Sequence, residues 1–193
     1  MESIVKFTGE DIIGQEMTNV VIEGYYDYFE IDNSKIVSCD FSKSNLQGVD
    51  ISDTKINFCN FSNVDLSGRS YKNVAFTDCN LVGVDFSTSF IENVTFEKCN
   101  LNYSNFSGCN FRNVKFIDCK LDEASFNEVK WKSLAFDECF MNNTEFIRTK
   151  LSGLDFSSNV IKGLKVPVDG LKGLIVSYEQ AIELSLLLGI KIK

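Results

Sequence analysis

The stretch Cys79-Asn80-Leu81-Val82-Gly83-Val84-Asp85-Phe86-Ser87-Thr88-Ser89-Phe90-Ile91-Glu92-Asn93-Val94-Thr95-Phe96-Glu97-Lys98 is followed at once by another cysteine, Cys99. Inside it, large apolar residues fall every five positions, at Leu81, Phe86, Ile91 and Phe96. Neither the 3.6-residue period of a helix nor the two-residue period of a strand fits that spacing. The cysteines keep a longer beat: Cys39, Cys59, Cys79, Cys99, Cys119 and Cys139 lie twenty residues apart. A fixed period of this kind marks a repeat architecture, whose function is carried by its surfaces.

Outward from this stretch, the five-residue frame holds without a break from Phe41 to Ile161. Two residues before each centre comes a small or β-branched residue, such as Val64, Val74, Val84, Val94, Ser104, Val114 and Ala124. Sorting the centres by the twenty-residue beat puts like above like. One column reads Ile56, Phe76, Phe96, Phe116, Phe136, Phe156, and another Leu46, Leu66, Phe86, Phe106, Phe126, Phe146. Such columns are expected if coils stack at the inter-strand spacing of ~4.8 Å. Gly48, Gly68, Gly108 and Gly153 fall two residues after a centre and are expected at corners. One side departs from the pattern: its centres include Tyr71 and Trp131, and Arg69 occupies a small-residue position. A buried guanidinium needs a partner, so local distortion at Arg69-Ser70-Tyr71 is expected, with the charge escaping to solvent.

At the N-terminal side, Phe7, Ile12, Met17 and Ile22 keep the frame before it slips by one to Tyr26, Ile31 and Ile36. This predicts an irregular first turn, 1–25, capping the open end of the coil. Beyond Ile161 the frame loosens through Gly163, Pro167 and Gly170. Ser177 followed by Gln180 is a capping-box pattern and Gly189 suits a helix end, predicting a helix from about Tyr178 to Leu188. Its apolar residues, including Ala181, Leu184, Leu187 and Leu188, cover more than one face. It therefore needs cover from the solenoid end and from a second subunit. Leu174, Val176, Tyr178, Ile182, Leu186 and Ile190 are the expected homodimer interface, continued by Ile175 and Ile192. The domain reading is a repeat region, 1–170, and a C-terminal helix and tail, 171–193.

At 193 residues the chain has room for one solenoid with a sizeable core. No stretch approaches the ~18 apolar residues of a membrane span. The opening Met1-Glu2-Ser3-Ile4-Val5-Lys6 lacks the pattern of a secretory signal. An odd number of cysteines, seven, spaced by the repeat suits free thiols in a reducing compartment, so a cytoplasmic protein is expected. The net charge of −8 argues against direct binding to nucleic acid or an anionic membrane, and permits binding to a basic surface.

Stacked thiols are candidate metal or redox chemistry, but they occupy the inward small position that Ser, Val, Ala and Thr fill elsewhere. Structural core is the favoured reading. With no histidine, the usual general base and commonest metal ligand are both missing. Carboxylate pairs such as Asp122-Glu123 and Asp137-Glu138 would project from a convex rod with no pocket to perturb them. No catalysis, metal or cofactor is expected. The layout of charge carries more. Asp78, Glu97, Asp118, Asp137 and Glu138 fall on the side of the Phe stack, and Asp122, Glu123 and Glu128 are read as its neighbouring side. Lys98 and Lys115 interrupt this stripe. Lys72, Arg112, Lys130, Lys132 and Lys150 gather on the side of Tyr71 and Trp131.

The five-residue pattern over 26–161 resembles that of the pentapeptide repeat proteins. The resemblance implies an all-β solenoid, a right-handed quadrilateral β-helix whose central and small positions point inward, with a short C-terminal α-helix. Within that family the chain is similar to the Qnr-type and mycobacterial MfpA-type proteins. The terminal run Gly173-Leu174-Ile175-Val176-Ser177-Tyr178-Glu179-Gln180-Ala181 resembles their terminal helix. That likeness implies a rod-like homodimer imitating duplex DNA and binding a type II topoisomerase, DNA gyrase or topoisomerase IV, with protection against quinolones or gyrase toxins. The projecting loops of many Qnr proteins have no room in the unbroken frame. The competing reading is a structural or interaction scaffold with an unrelated protein partner.

Overall fold

The computed structural model describes residues 10–26 and 28–191. The expected positions Phe7 and Ile192, and the opening residues 1–6, lie outside the described residues. Each coil has four faces, named I to IV in chain order and centred in one coil on Phe76, Leu81, Phe86 and Ile91. The fold is the right-handed quadrilateral β-helix that the resemblance of the five-residue frame implies.

The faces pair in different ways. Faces I and IV carry in-register parallel strands, and from Phe90 onward these run together around their shared corner as Phe90–Glu97, Asn110–Ile117 and Lys130–Asp137. Ile91, Phe111 and Trp131 are in register on face IV, and Phe96, Phe116 and Phe136 on face I. Beyond the paired strands Val21–Tyr25 and Asp40–Asn45, faces II and III meet their neighbours through single bridges, such as Asn80 to Asn100 and Asp85 to Asn105. The cause is a hydrogen-bonded turn closing each of these faces: Val84 N donates to Leu81 O at 3.2 Å, and Ser89 N to Phe86 O at 3.2 Å. The corner residue of such a turn is left-handed, which suits glycine. At Gly83 (φ 66°) a Cβ would also lie 2.5 Å from Asn63 Oδ1.

Every centre from Phe41 to Ile161 is buried except Trp131, which is half-buried. On face I, Phe76, Phe96, Phe116 and Phe136 stack with centroids 5.0, 4.9 and 5.0 Å apart. On face III, Phe86, Phe106, Phe126 and Phe146 do the same at 5.2, 4.9 and 5.2 Å. Between the columns the rings meet edge to face, as Phe96 and Phe106 do at 5.9 Å. Each buried ring contributes about 1.5–3 kcal/mol by leaving water, and favourable ring geometry adds roughly 0.5–1.5 kcal/mol.

All seven cysteines are free and buried. Their thiols are small donors that satisfy a carbonyl of the preceding coil. Cys99 Sγ donates to Phe76 O at 3.4 Å, Cys119 Sγ to Phe96 O at 3.3 Å and Cys139 Sγ to Phe116 O at 3.4 Å. Other faces fill the same position with Ser89, donating to Leu66 O, and Thr144, donating to Leu121 O. A buried carbonyl left alone is costly, so the ladder is a set of hydrogen-bond caps within the core.

Arg69 departs from expectation. The strand Ser70–Lys72 keeps its register with both neighbours, so the chain is not distorted there. The guanidinium does not escape either: Nη2 donates to Gly48 O at 2.7 Å and lies 3.4 Å from Asp50 Oδ2, with the group 5.6 Å over the Tyr28 ring. Arginine thus makes the contact to an earlier coil that Ser, Thr or Cys makes elsewhere, using its length to reach a more outlying carbonyl.

The slip near Ile22 is a residue missing from the first described coil. Ile12 pairs with Ile31 and Met17 with Ile36, nineteen apart, whereas Glu23 pairs with Lys43, twenty apart. The register shifts between Val21 and Glu23.

At the other end, helix α1 spans Tyr178–Ser185, capped by Ser177 in a complete capping box. The chain then tightens into a 3-10 turn, Leu186–Leu188, so the regular helix is shorter than expected, and Gly189 (φ 72°) ends it. Gln180 and Leu184 are its buried residues. Gln180 Nε2 donates to Phe156 O at 2.8 Å and Asn159 O at 2.6 Å, closing the column in which the cysteines stand.

Candidate functional site

In-register stacking places Asp78, Glu97, Asp118, Asp137 and Glu138 along one edge of the rod, with Asp122 and Glu123 across face II from it. Asp78, Asp118 and Glu138 occupy the corner between faces I and II, in one column with Phe58 and Lys98. Each of Phe58, Asp78, Lys98 and Asp118 sends its N–H to the coil above, as Asp118 does to Asp137 O at 2.9 Å. Glu97 and Asp137 lie on face I beside that corner, Asp122 on face II, and Glu123 at the far corner of face II. Asp78, Asp118, Glu123, Asp137 and Glu138 are exposed, while Glu97 and Asp122 are half-buried. Asp122 Oδ1 accepts from both Asn142 N and Nδ2 at 2.8 Å, and Asp137 accepts from Ser158 Oγ at 3.0 Å.

Among the described residues none of these seven carboxylates forms an ion pair; the pairs lie elsewhere, between rungs of adjacent coils. Glu128 does not belong to the edge. It stands at the corner between faces III and IV, paired with Arg148 at 2.7 Å. The error came from taking it to project from face II, when its centre, Phe126, belongs to face III.

Face IV is the basic side. Lys72 and Arg112 lie 5.8 and 5.1 Å from the Phe90 ring centroid, and Arg112 is 3.8 Å from Glu92. Trp131 Nε1 donates to Lys150 O at 2.7 Å, which holds the indole at the rim.

The expected interface residues divide into two sets. Leu174 and Val176 pack partly against the core and, with Leu171, Ala181, Leu184 and Leu188, line an apolar groove of about 220 Å³ between the last coil and α1. Tyr178, Ile182, Leu186 and Ile190 are exposed, at 77%, 39%, 60% and 48%.

Sequence reasoning missed five exposed aromatics, Tyr25 and Tyr28 in the first described coils and Phe58, Tyr103 and Phe140 beyond them. A signal was present: Phe58 stands in an otherwise polar column, and Phe140 follows Asn60, Asn80, Asn100 and Lys120, with Val160 continuing the column above it. The thiols of the ladder shift in alternating directions: hydrogen bonds with neighbouring thiols hold Cys39, Cys79 and Cys119 below the usual thiol range. Burial pushes Cys109 up to about 12. Cys59, Cys99 and Cys139 are also pushed up, first by hydrogen bonds with neighbouring thiols and then by burial. Among the described residues no group of three His, Cys, Asp or Glu side chains is placed to hold a metal ion, and no helix is long and apolar enough to cross a membrane.

No curated protein matches the chain. Solved structures similar to it include full-length QnrB1, a plasmid-mediated fluoroquinolone resistance protein, at 20% identity over 94% of this chain and 100% of that one, with a TM-score of 0.42. The pentapeptide repeat protein Rfr23 of the cyanobacterium Cyanothece is similar at 13% identity, covering 88% and 89% of the two chains with a TM-score of 0.34. HetL, a pentapeptide repeat protein of Nostoc involved in heterocyst differentiation regulation, is similar at 10% identity, covering 88% and 89% with a TM-score of 0.31. The model of the pentapeptide repeat region matches residues 27–106 and 57–126. With the five-residue frame, the four-sided coil and this match in agreement, the chain belongs to the pentapeptide repeat family.

Proposed function

We propose that the protein is a noncatalytic mimic of duplex DNA that binds a type II topoisomerase, DNA gyrase or topoisomerase IV, and shields it from quinolones or gyrase toxins. The observation that carries this reading is the edge of carboxylates without ion pairs on a stiff rod. Among the described residues six acids elsewhere are paired with a base, whereas this edge and face II gather seven that are not and keep their charge available to a basic groove. The partner class comes from the resemblance of the repeats and terminal segment to the Qnr- and MfpA-type proteins. A homodimer formed through the exposed apolar side of α1 would double the length of the acidic edge.

The test is binding to purified gyrase and topoisomerase IV, together with supercoiling and quinolone-protection assays. The triple variant Asp78→Lys, Asp118→Lys, Glu138→Lys is expected to lose the effect. Its backbone should tolerate the change, because Lys98 already occupies this left-handed corner column at φ 54° beside Asp78 at 53° and Asp118 at 51°, and salt screens the resulting row of four lysines. No binding by the wild-type protein at micromolar concentration would sink the reading. The dimer is tested separately: Ile182→Asp with Leu186→Asp should halve the sedimenting mass, and an unchanged mass removes α1 from the interface.

A further inference from the structure

The large apolar residues left exposed along the middle of the rod are not scattered. Between residues 40 and 166 they are Phe58, Tyr103, Phe140, Ile147 and Val160, and all but Ile147 stand on face II or its two corners. Phe58 and Tyr103 are 60% exposed and Phe140 46%. Phe58 belongs to the corner column of Asp78, Asp118 and Glu138; Tyr103 belongs to the opposite corner column, with Glu123; Phe140 projects between them, in the coil of Glu138. Successive aromatics are thus two coils apart, roughly 10 Å at the strand spacing, with the carboxylates between them.

Local packing does not explain their presence. Phe58 and Tyr103 are left-handed at φ 56° and 62°, a conformation that costs a bulky L-residue and that Asn, Asp or Gly adopts more readily. Tyr28, another left-handed aromatic at a corner, has the Arg69 guanidinium against its ring. Phe58, Tyr103 and Phe140 have no such contact among the described residues. Exposed aromatics amid charge are the residues that anchor protein interfaces, where a few of them carry much of the affinity.

We infer that face II is the contact face, and that it fits a protein surface in which basic groups alternate with apolar pockets receiving Phe58, Tyr103 and Phe140. This rests on the topoisomerase reading and sharpens it: the contact is with a DNA-binding surface, yet part of the affinity is not electrostatic. Charge alone would give binding that collapses with salt, whereas apolar anchors leave a salt-resistant remainder.

The experiment compares wild type, the charge-reversed triple variant and Phe58→Asn, Tyr103→Asn, Phe140→Asn, singly and combined, for binding to purified gyrase and topoisomerase IV at low and high salt. The combined asparagine variant is expected to bind at least about tenfold more weakly at both salts, with an unchanged salt dependence. Its melting temperature should equal or exceed that of wild type, since asparagine suits the left-handed corners and the column of Asn60, Asn80 and Asn100. Charge reversal should instead flatten the salt dependence. Wild-type binding with the asparagine variants unaffected overturns this inference and leaves the topoisomerase reading standing. Absence of wild-type binding overturns both.

Discussion

Replacing Gln180 with leucine should unfasten one end of the rod and leave the rest alone. The amide is 7% exposed, donates to Phe156 O and Asn159 O, and accepts from Ser177 N at 2.8 Å. Leucine has a similar volume, so little cavity opens, but two carbonyls and one N–H lose their partner. Each buried group left unsatisfied costs about 1–3 kcal/mol, the Ser177 N–H among them being half of the capping box. The added apolar side chain offsets part of this, leaving about 2–4 kcal/mol. In a solenoid each coil contacts only its neighbours, so the loss should stay local. Native-state hydrogen exchange reads it directly: amides such as Ile175, which donates to Leu154 O, should exchange roughly 30- to 900-fold faster. Amides of Phe96 and Phe116 should keep their protection. Equal loss along the whole rod, or none at the end, would refute the view that Gln180 is the terminal member of the carbonyl-capping column.

Other consequences are as direct. All seven thiols are buried, so an aqueous thiol reagent should label none in the native protein and all seven after unfolding; rapid native labelling of Cys109 would contradict its packing. Phe106→Ala removes a ring stacked between Phe86 and Phe126 and should cost about 3–5 kcal/mol in denaturant unfolding. Glu145 is held below the usual carboxylate range, chiefly by the hydrogen bond from Lys165 and then by that from Asn127. Its folded value is depressed, so its contribution is present above the unfolded value of roughly 4.3 and is lost as pH falls through the folded one. Lys165→Gln should therefore lower stability slightly from that acid window up to neutrality, where the contribution is present, and make little difference below it, so that stability falls less steeply with acid.

The coil was legible because each centre has one environment, inward and apolar, repeated at a fixed interval with no competing period. Phe76, Phe96, Phe116 and Phe136 announce their stack by spacing alone. The cysteines were legible as small core residues but not as caps, since the carbonyl each thiol meets lies 22 or 23 residues earlier, an offset that only the closed coil creates. Arg69 was misjudged for a related reason: the sequence shows a charge in a small site, while the acceptor that tames it, Gly48 O, belongs to another coil. Among the acidic residues, the edge followed from the columns. Glu128 failed because its corner adjoins face IV, and Phe58 and Tyr103 were overlooked because each is the one aromatic of its column rather than a member of a repeated set.

Stacking that gives the fold its regularity also limits how much charge an edge can hold. Neighbours in a column stand ~4.8 Å apart, so a like-charged pair repels by about 1 kcal/mol even in water. An unbroken column of carboxylates would press on every coil, and the chain avoids one by setting Lys98 between Asp78 and Asp118. Lys98 then has two effects that separate experimentally. Lys98→Glu makes the corner continuously acidic from Asp78 to Glu138. It should lower stability in low salt by roughly 1–3 kcal/mol, recovering as salt screens the column. If the corner meets a basic groove, the same change should raise affinity for the topoisomerase, because it removes the one cation in that column. A variant less stable alone and tighter in complex would show that the unpaired acids of this edge are arranged toward a partner. A variant weaker in both would mean that Lys98 itself makes a contact, and would shift the docking surface away from this corner.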